Sequence, residues 1–169
     1  MRILVVIILL SQVVFVFSQV PLEELRTCQQ NVLDDSDYAE DLLLRIEGLN
    51  PKSNLEKGYW GLIESMMAEH TYNPMKKLSY FNNGKSKLEG AIEADSKSVE
   101  LRYLRLGMQV NIPSFLGYKD NIEEDKIWIL NHLNDQKNQI GTLYLKIIEF
   151  LLQSDICTQS EKETLEKLI

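Results

Sequence analysis

The sequence has few of the residues from which catalytic and metal sites are usually built. Its 169 residues include only two histidines and two cysteines, and they contain no CxxC, HExxH or GxSxG pattern and no glycine-rich phosphate loop. These absences argue against zinc binding, thiol redox catalysis and serine hydrolysis of the nucleophile-elbow type. We therefore expect no metal, no cofactor and no recognisable catalytic residue. Whether the chain is an enzyme stays open, with a non-enzymatic role favoured.

Positive charge is also in deficit. The chain has 18 Lys and Arg against 25 Asp and Glu, a net charge of −7 at pH 7. Residues 1–18 contain one arginine and no acidic residue, so residues 19–169 hold 17 basic against 25 acidic side chains, a net charge of −8. Such an acidic chain is a poor partner for nucleic acid and for anionic lipid surfaces. We expect neither as a partner.

A strongly apolar run occurs at the start of the chain. Residues 1–18, MRILVVIILLSQVVFVFS, combine Arg2 with an apolar stretch and end in the small Ser18, which is typical of a secretory signal peptide. The stretch is about 15 residues long and a membrane span needs about 20, so no stable span is expected after cleavage. We predict a signal peptide over 1–18 and a periplasmic or secreted helical domain over 19–169. An uncleaved anchor is the alternative.

Strand-like alternation is absent, and apolar residues instead recur at intervals of three and four. These intervals predict helices over about 21–33, 37–47, 54–70, 75–94, 98–110, from 120, over 136–153 and from 158. A stripe of small residues in the third helix, including Gly58 and Gly61, allows another helix to approach closely. We predict an all-α protein, a single domain of roughly seven to eight helices stacked as antiparallel hairpins in an α/α superhelix-like arrangement.

Two arginines lie on a narrow polar stripe of the helix predicted over 98–110. At 100° per residue, Arg102 and Arg105 fall in a sector about 60° wide and the remaining sides are apolar. The helix is therefore predicted to be central and buried. Glu89 and Glu93, four residues apart on the preceding helix, are the predicted partners in an interhelical ion network. The alternatives are an anion-binding site and a solvated stripe.

The loop over 112–118 is rich in large apolar groups, among them Phe115 and Tyr118. Loops that carry such groups normally bury them, so the favoured interpretation is an anchor that closes one end of the helical stack. The functional alternative is an exposed surface that contacts a partner. Phe115 and Tyr118 are therefore candidate partner contacts, as Arg102, Arg105 and their acidic partners are candidate ligand contacts.

The two cysteines lie near the two ends of the predicted domain. In an oxidising compartment, Cys28 and Cys157 are candidates for a disulfide that joins the first helix to the last. The alternative is that each thiol packs as a small apolar group.

A dense set of residues between about 55 and 130 carries a resemblance. These residues are Asn73, Pro74, Phe81, Gly84, Leu88, Glu89, Ala91, Ile92, Asp95, Glu100, Arg102, Arg105, Gln109, Asn111, Pro113, Phe115, Leu116, Gly117 and Tyr118. The set resembles the signature of a family of small exported bacterial all-helical proteins to which no activity is assigned. The resemblance implies export and a helical fold, and it supplies no ligand or catalytic residue.

A weaker resemblance is to tetratricopeptide repeats. It rests on Leu88, Ala91, Ile92, Asp95 and Glu100 at a junction between two helices. No second copy at the repeat's period of about 34 residues is visible, so the resemblance supports stacked hairpins and not a repeat array.

These observations favour an exported, periplasmic helical protein that acts by protein binding or scaffolding in the cell envelope, with an envelope protein as its partner. One alternative is a binder of a small apolar or anionic ligand between helices, and another is a hydrolase or lyase with an inter-helix pocket. A pocket lined by Arg102, Arg105 and Glu89 would favour a ligand or a reaction. A filled core with an exposed apolar surface would favour a protein partner.

Overall fold

The structure, a computed structural model, describes residues 20–49, 51 and 53–169. Within these ranges the chain forms ten α-helices and two short 3₁₀ helices, and no strand. The predicted all-α class is confirmed. The predicted signal peptide, residues 1–18, lies outside the described residues.

The helices follow one another through short connections. They are α1 Leu22–Thr27, α2 Gln29–Asp34, α3 Ser36–Leu49, α4 Asn54–Met66, α5 Pro74–Ala94, α6 Val99–Asn111, α7 Ile122–His132, α8 Lys137–Ile140, α9 Leu143–Gln153 and α10 Gln159–Glu166. The 3₁₀ helices are Met67–His70 and Ser114–Leu116. In the described part of the chain, no helix is both long and apolar enough to cross a membrane.

Two helices predicted as continuous are each divided in two. The first is interrupted at Cys28, next to Thr27, whose hydroxyl donates to the carbonyl of Glu23 at 2.8 Å and so competes with the backbone ladder. The seventh is interrupted at Gly141, whose φ of 61° lies outside the helical region. These two breaks account for the difference between eight predicted helices and ten.

The predicted stripe of small residues packs α4 against α5. A Cβ atom added at Gly61 would lie 2.5 Å from the carbonyl oxygen of Gly84 and 2.7 Å from the backbone nitrogen of Leu88. Real Cβ atoms do not approach other atoms so closely, so only glycine fits where the two backbones meet. The α4–α5 pair is thus a tight hairpin, and α5 continues through a short turn into α6.

Helix α6 lies between two hydrophobic clusters. Its Leu101, Leu104 and Met108 pack in a cluster with α1–α5, while Val99 and Leu106 pack in a second cluster with α7–α10. Nine of its 13 residues are buried. The prediction of a central, buried helix is therefore confirmed.

The cysteines lie in different clusters and form no bridge. Cys28 and Cys157 are both free and buried, the first in the cluster of α1–α5 and the second in that of α7–α10. The candidate disulfide is thus not formed in the structure, and each thiol packs as an apolar group. Burial raises the pKa of Cys28 to about 11, so its thiol stays protonated at neutral pH.

Candidate functional site

Asp125 of α7 is the principal partner of both arginines of α6. Its carboxylate accepts from Arg102 Nη1 at 2.8 Å, from Arg105 Nε at 2.7 Å and from Arg105 Nη2 at 2.8 Å. The exposed fraction of Asp125 is 0%. One buried carboxylate therefore holds two guanidinium groups, and we call Arg102, Arg105, Asp125, Glu89 and Glu124 the arginine cluster.

Two more carboxylates complete the arginine cluster from its edges. Glu89 of α5 accepts from Arg105 Nη1 at 2.9 Å, and Glu124 accepts from Arg102 Nη1 at 2.9 Å. Glu124 is 60% exposed at its side chain, and its bond to Arg102 lowers the pKa of its carboxyl below the usual value. Burial alone would lower the pKa of Arg105, but the hydrogen bonds and charges of its acidic partners outweigh that effect and raise it.

Glu93 does not reach the arginines, which corrects the prediction that it pairs with them. It is exposed near the end of α5, and Arg102 Nε donates instead to the carbonyl oxygen of Ser96 at 2.9 Å. The turn between α5 and α6 therefore takes the position that Glu93 was expected to fill. Of the two predicted acids, the structure brings only Glu89 to the arginines.

The sequence does contain a pattern that points to Asp125 as a partner of the arginines, but the prediction considered only acidic residues of the preceding helix. Asp125 is three residues after Ile122 and four before Ile129, so it falls on the apolar stripe of α7. A carboxylate on such a stripe is buried and requires a buried cation. Arg102 and Arg105 are the buried cations of the neighbouring helix. Their acidic partners therefore lie both before them in the chain, at Glu89, and after them, at Asp125.

A second buried ion network joins the N-terminal helix to α6. Arg26 of α1 donates to Glu100 of α6 through Nε at 2.8 Å and Nη2 at 2.7 Å, and the hydroxyl of Tyr59 in α4 donates to the same carboxylate at 2.8 Å. We call Arg26, Glu100 and Tyr59 the N-terminal network. The bond to Glu100 raises the pKa of Arg26, and burial together with Glu100 raises that of Tyr59. Arg26 and Tyr59 therefore both keep their protons at neutral pH.

A cavity of about 370 Å³ borders the N-terminal network. Its lining comes from α1, α2, α4, α6 and α9 and comprises Leu25, Arg26, Thr27, Gln29, Gln30, Leu33, Tyr59, Leu62, Tyr103, Leu104, Leu143 and Lys146. We call it the Tyr103 cavity. None of the residues of the arginine cluster lines it.

The loop between α6 and α7 buries one of its two candidate contacts and exposes the other. Tyr118 is 5% exposed, its ring meets that of Phe81 edge-on at 6.0 Å, and its hydroxyl donates to Glu89. Phe115 is 86% exposed, two residues before Gly117, whose φ of 60° turns the chain back. Tyr118 is thus the predicted anchor, and Phe115 remains available for contact.

The described residues contain no group of three or more His, Cys, Asp or Glu side chains that could hold a metal ion. No protein-family model, curated protein or solved structure matches the chain, so its geometry is the basis for assigning a role.

Proposed function

We propose that the protein is an exported helical module that acts by binding a protein partner in the cell envelope, with Phe115 at the centre of the contact. Export rests on the predicted signal peptide and on the resemblance to exported helical proteins. The observation that carries the binding role is the large aromatic ring of Phe115, 86% exposed on a loop that buried Tyr118 holds in place. Exposed, rigidly held aromatic groups are typical centres of protein interfaces.

Other exposed apolar groups lie at the start of α5, the helix against which the loop carrying Phe115 packs. The ring of Tyr118, three residues after Phe115, meets the ring of Phe81 in α5 edge-on at 6.0 Å. Tyr72, Met75 and Leu78 are exposed at the start of α5, and Phe115 follows α6. We call these four residues the tip. Several exposed apolar side chains on two packed segments favour a docking role over chance exposure.

The charge around the tip indicates the chemistry of the partner. Residues 74–88 contain four lysines and no acidic residue, although the chain as a whole is acidic. Lys76 is exposed and Lys77 half-buried beside Met75 and Leu78. A partner with an apolar pocket and an acidic rim would therefore complement the tip, and charge of that sign would also speed association.

The arginine cluster is buried and internally paired, which favours a protein-binding role over a ligand site at the arginines. Arg102 and Arg105 are 7% and 5% exposed and each is engaged by carboxylates of the protein itself. A bound anion would have to displace Asp125, which would leave that carboxylate buried without a partner.

Site-specific photocrosslinking tests the proposal. A benzophenone amino acid at position 115 is expected to crosslink one protein in intact producing cells, and the same group at Leu44, which is 68% exposed on α3, is not. The purified partner should then bind wild type at least about tenfold more tightly than Phe115→Ala, while Leu44→Ala binds like wild type.

The controls separate a contact from a folding effect. Phe115 is exposed, so Phe115→Ala should retain the wild-type melting temperature. Equal crosslinking at positions 44 and 115, or unchanged affinity of Phe115→Ala for the crosslinked protein, would contradict the proposal.

A further inference from the structure

The apolar part of the Tyr103 cavity is built by buried leucines of four helices. Leu25, Leu62, Leu104 and Leu143 line it and are each buried, and polar side chains of α1, α2 and α9 complete the lining. A volume of about 370 Å³ lies within the range of roughly 300–1,000 Å³ that is typical of small-molecule sites. The leucine side of the space suits the hydrocarbon part of a ligand, and the polar side suits a charged or hydrogen-bonding group.

Tyr103 adds a hydrogen-bond donor to these walls. Its ring is held edge-on against Phe150 at 5.5 Å, and its hydroxyl has no hydrogen-bond partner among the described residues. Burial raises the pKa of Tyr103, so the hydroxyl keeps its proton at neutral pH. Tyr59, the other tyrosine of the lining, already donates to Glu100. Of the two tyrosines in the lining, Tyr103 is therefore the one whose hydroxyl is free to donate a hydrogen bond to a ligand.

Lys146 adds a positive charge at the exposed side of the cavity. Its ammonium lies 3.5 Å from the carbonyl oxygen of Arg26 and forms no ion pair with a carboxylate of the described residues. Arg26, the other cation of the lining, is engaged by Glu100 and Glu23. The cavity thus offers an unpaired ammonium to a ligand, while its guanidinium is already neutralised.

We infer that the Tyr103 cavity is a binding site for a small amphipathic monocarboxylate. The hydrocarbon part would lie among the leucines and the carboxylate would accept from Tyr103 and pair with Lys146. This site is separate from the tip, because no residue of the tip lines the cavity. It therefore stands or falls independently of the proposed protein contact.

Calorimetric titration of residues 19–169 with decanoate tests the site. We expect one decanoate per chain, weaker binding of 1-decanol, and a loss of about tenfold in decanoate affinity for Lys146→Gln, since an ammonium–carboxylate pair is removed. Tyr103→Phe should weaken decanoate severalfold because it removes one hydrogen bond. The matched control is Lys167→Gln, an exposed lysine outside the lining, which should bind like wild type.

Melting temperatures distinguish a loss of binding from a loss of folding. Lys146 is exposed, so Lys146→Gln should keep the wild-type melting temperature, and decanoate should still raise that temperature in Lys167→Gln. Phe115→Ala should bind decanoate like wild type, which separates this site from the tip. No binding up to about 1 mM decanoate, or equal binding by wild type and Lys146→Gln, would overturn the inference.

Discussion

The arginine cluster and the N-terminal network use α6 in opposite ways. In the arginine cluster α6 supplies two cations, and the buried carboxylate comes from α7, 20 and 23 residues further along the chain. In the N-terminal network α6 supplies the carboxylate of Glu100, and the cation Arg26 lies 74 residues earlier in the chain. The same helix therefore forms one local and one long-range ion network.

The two ion networks have different structural roles. The local network fixes how α5, α6 and α7 align, and a register error there would leave Asp125 buried without a cation. The long-range network holds α1 against α6, because both oxygens of the Glu100 carboxylate accept from Arg26. The arginine cluster is enclosed by three helices, whereas the N-terminal network borders a cavity. We therefore expect the loss of the arginine cluster to lower the free energy of unfolding more than the loss of the N-terminal network.

The largest effect is expected for Asp125→Ala. The substitution leaves Arg102 and Arg105 buried without their principal acceptor, which should lower the free energy of unfolding by about 3–5 kcal/mol. Urea denaturation monitored by circular dichroism measures it. Glu124→Ala is the matched control, because Glu124 is largely exposed and should cost no more than about 1 kcal/mol. Equal losses for the two variants would show that burial does not distinguish these carboxylates.

A smaller and more local effect is expected for Glu100→Ala. Arg26 keeps its bond to Glu23 and lies beside a cavity that water can enter, so we expect a loss of about 2–3 kcal/mol, at the lower end of the range for broken buried pairs. Hydrogen exchange should accelerate first in α1, with α7 still protected. Exchange that rises equally in α1 and α7 would mean that the two networks form one cooperative unit.

A still smaller effect is expected for Tyr59→Phe. It removes one hydrogen bond to Glu100 while Arg26 still holds both carboxylate oxygens, so the expected loss is about 1 kcal/mol. A shift of the urea midpoint measures it, with Tyr80→Phe as the control because no hydrogen bond of the Tyr80 hydroxyl is found among the described residues. A loss as large as that of Glu100→Ala would show that Tyr59, and not Arg26, holds the carboxylate.

The smallest effect concerns pH. The pKa of Glu124 is lowered by its hydrogen bond to Arg102, and that of Glu23 by hydrogen bonds to Thr142 and Arg26. A carboxyl with a lowered folded-state pKa stabilises the fold above its unfolded pKa of about 4.5, and that contribution is lost as the pH falls through the folded value. Glu124→Gln and Glu23→Gln should each flatten the loss of stability below pH 4.5, measured by urea midpoints. An unchanged slope would contradict the pKa shifts.

The local parts of the fold could be predicted from sequence because their signals are local. Periodicity placed α3, α5 and α6 within about two residues, and a capping box of Thr158 and Glu161 begins α10 where a helix was predicted from 158. Asn121 and Glu124 have the spacing of a capping box, but Asn121 makes no side-chain cap and donates to the Glu124 carboxylate instead. The break at Gly141 depends on a positive φ, which apolar periodicity does not report.

The candidate site was only partly predictable, because the partners of α6 come from several helices and one of them, Arg26, is distant in sequence. Arg102, Arg105 and Glu89 come together as expected from adjacent helices, and Asp125 could have been added from its position on an apolar stripe. The pairing of Arg26 with Glu100 carries no sequence signal of that kind, since neither spacing nor periodicity joins residues 74 apart. The Tyr103 cavity depends on how five helices meet, which a single sequence does not specify.

A double-mutant cycle between Arg105 and Asp125 tests most directly whether the arginine cluster is structural. The account predicts that Arg105→Met and Asp125→Leu each destabilise strongly and that the double variant recovers part of the loss, with a coupling free energy of about 2 kcal/mol or more by urea denaturation. A coupling below about 0.5 kcal/mol would contradict the account, because it would show that the two buried side chains do not depend on each other.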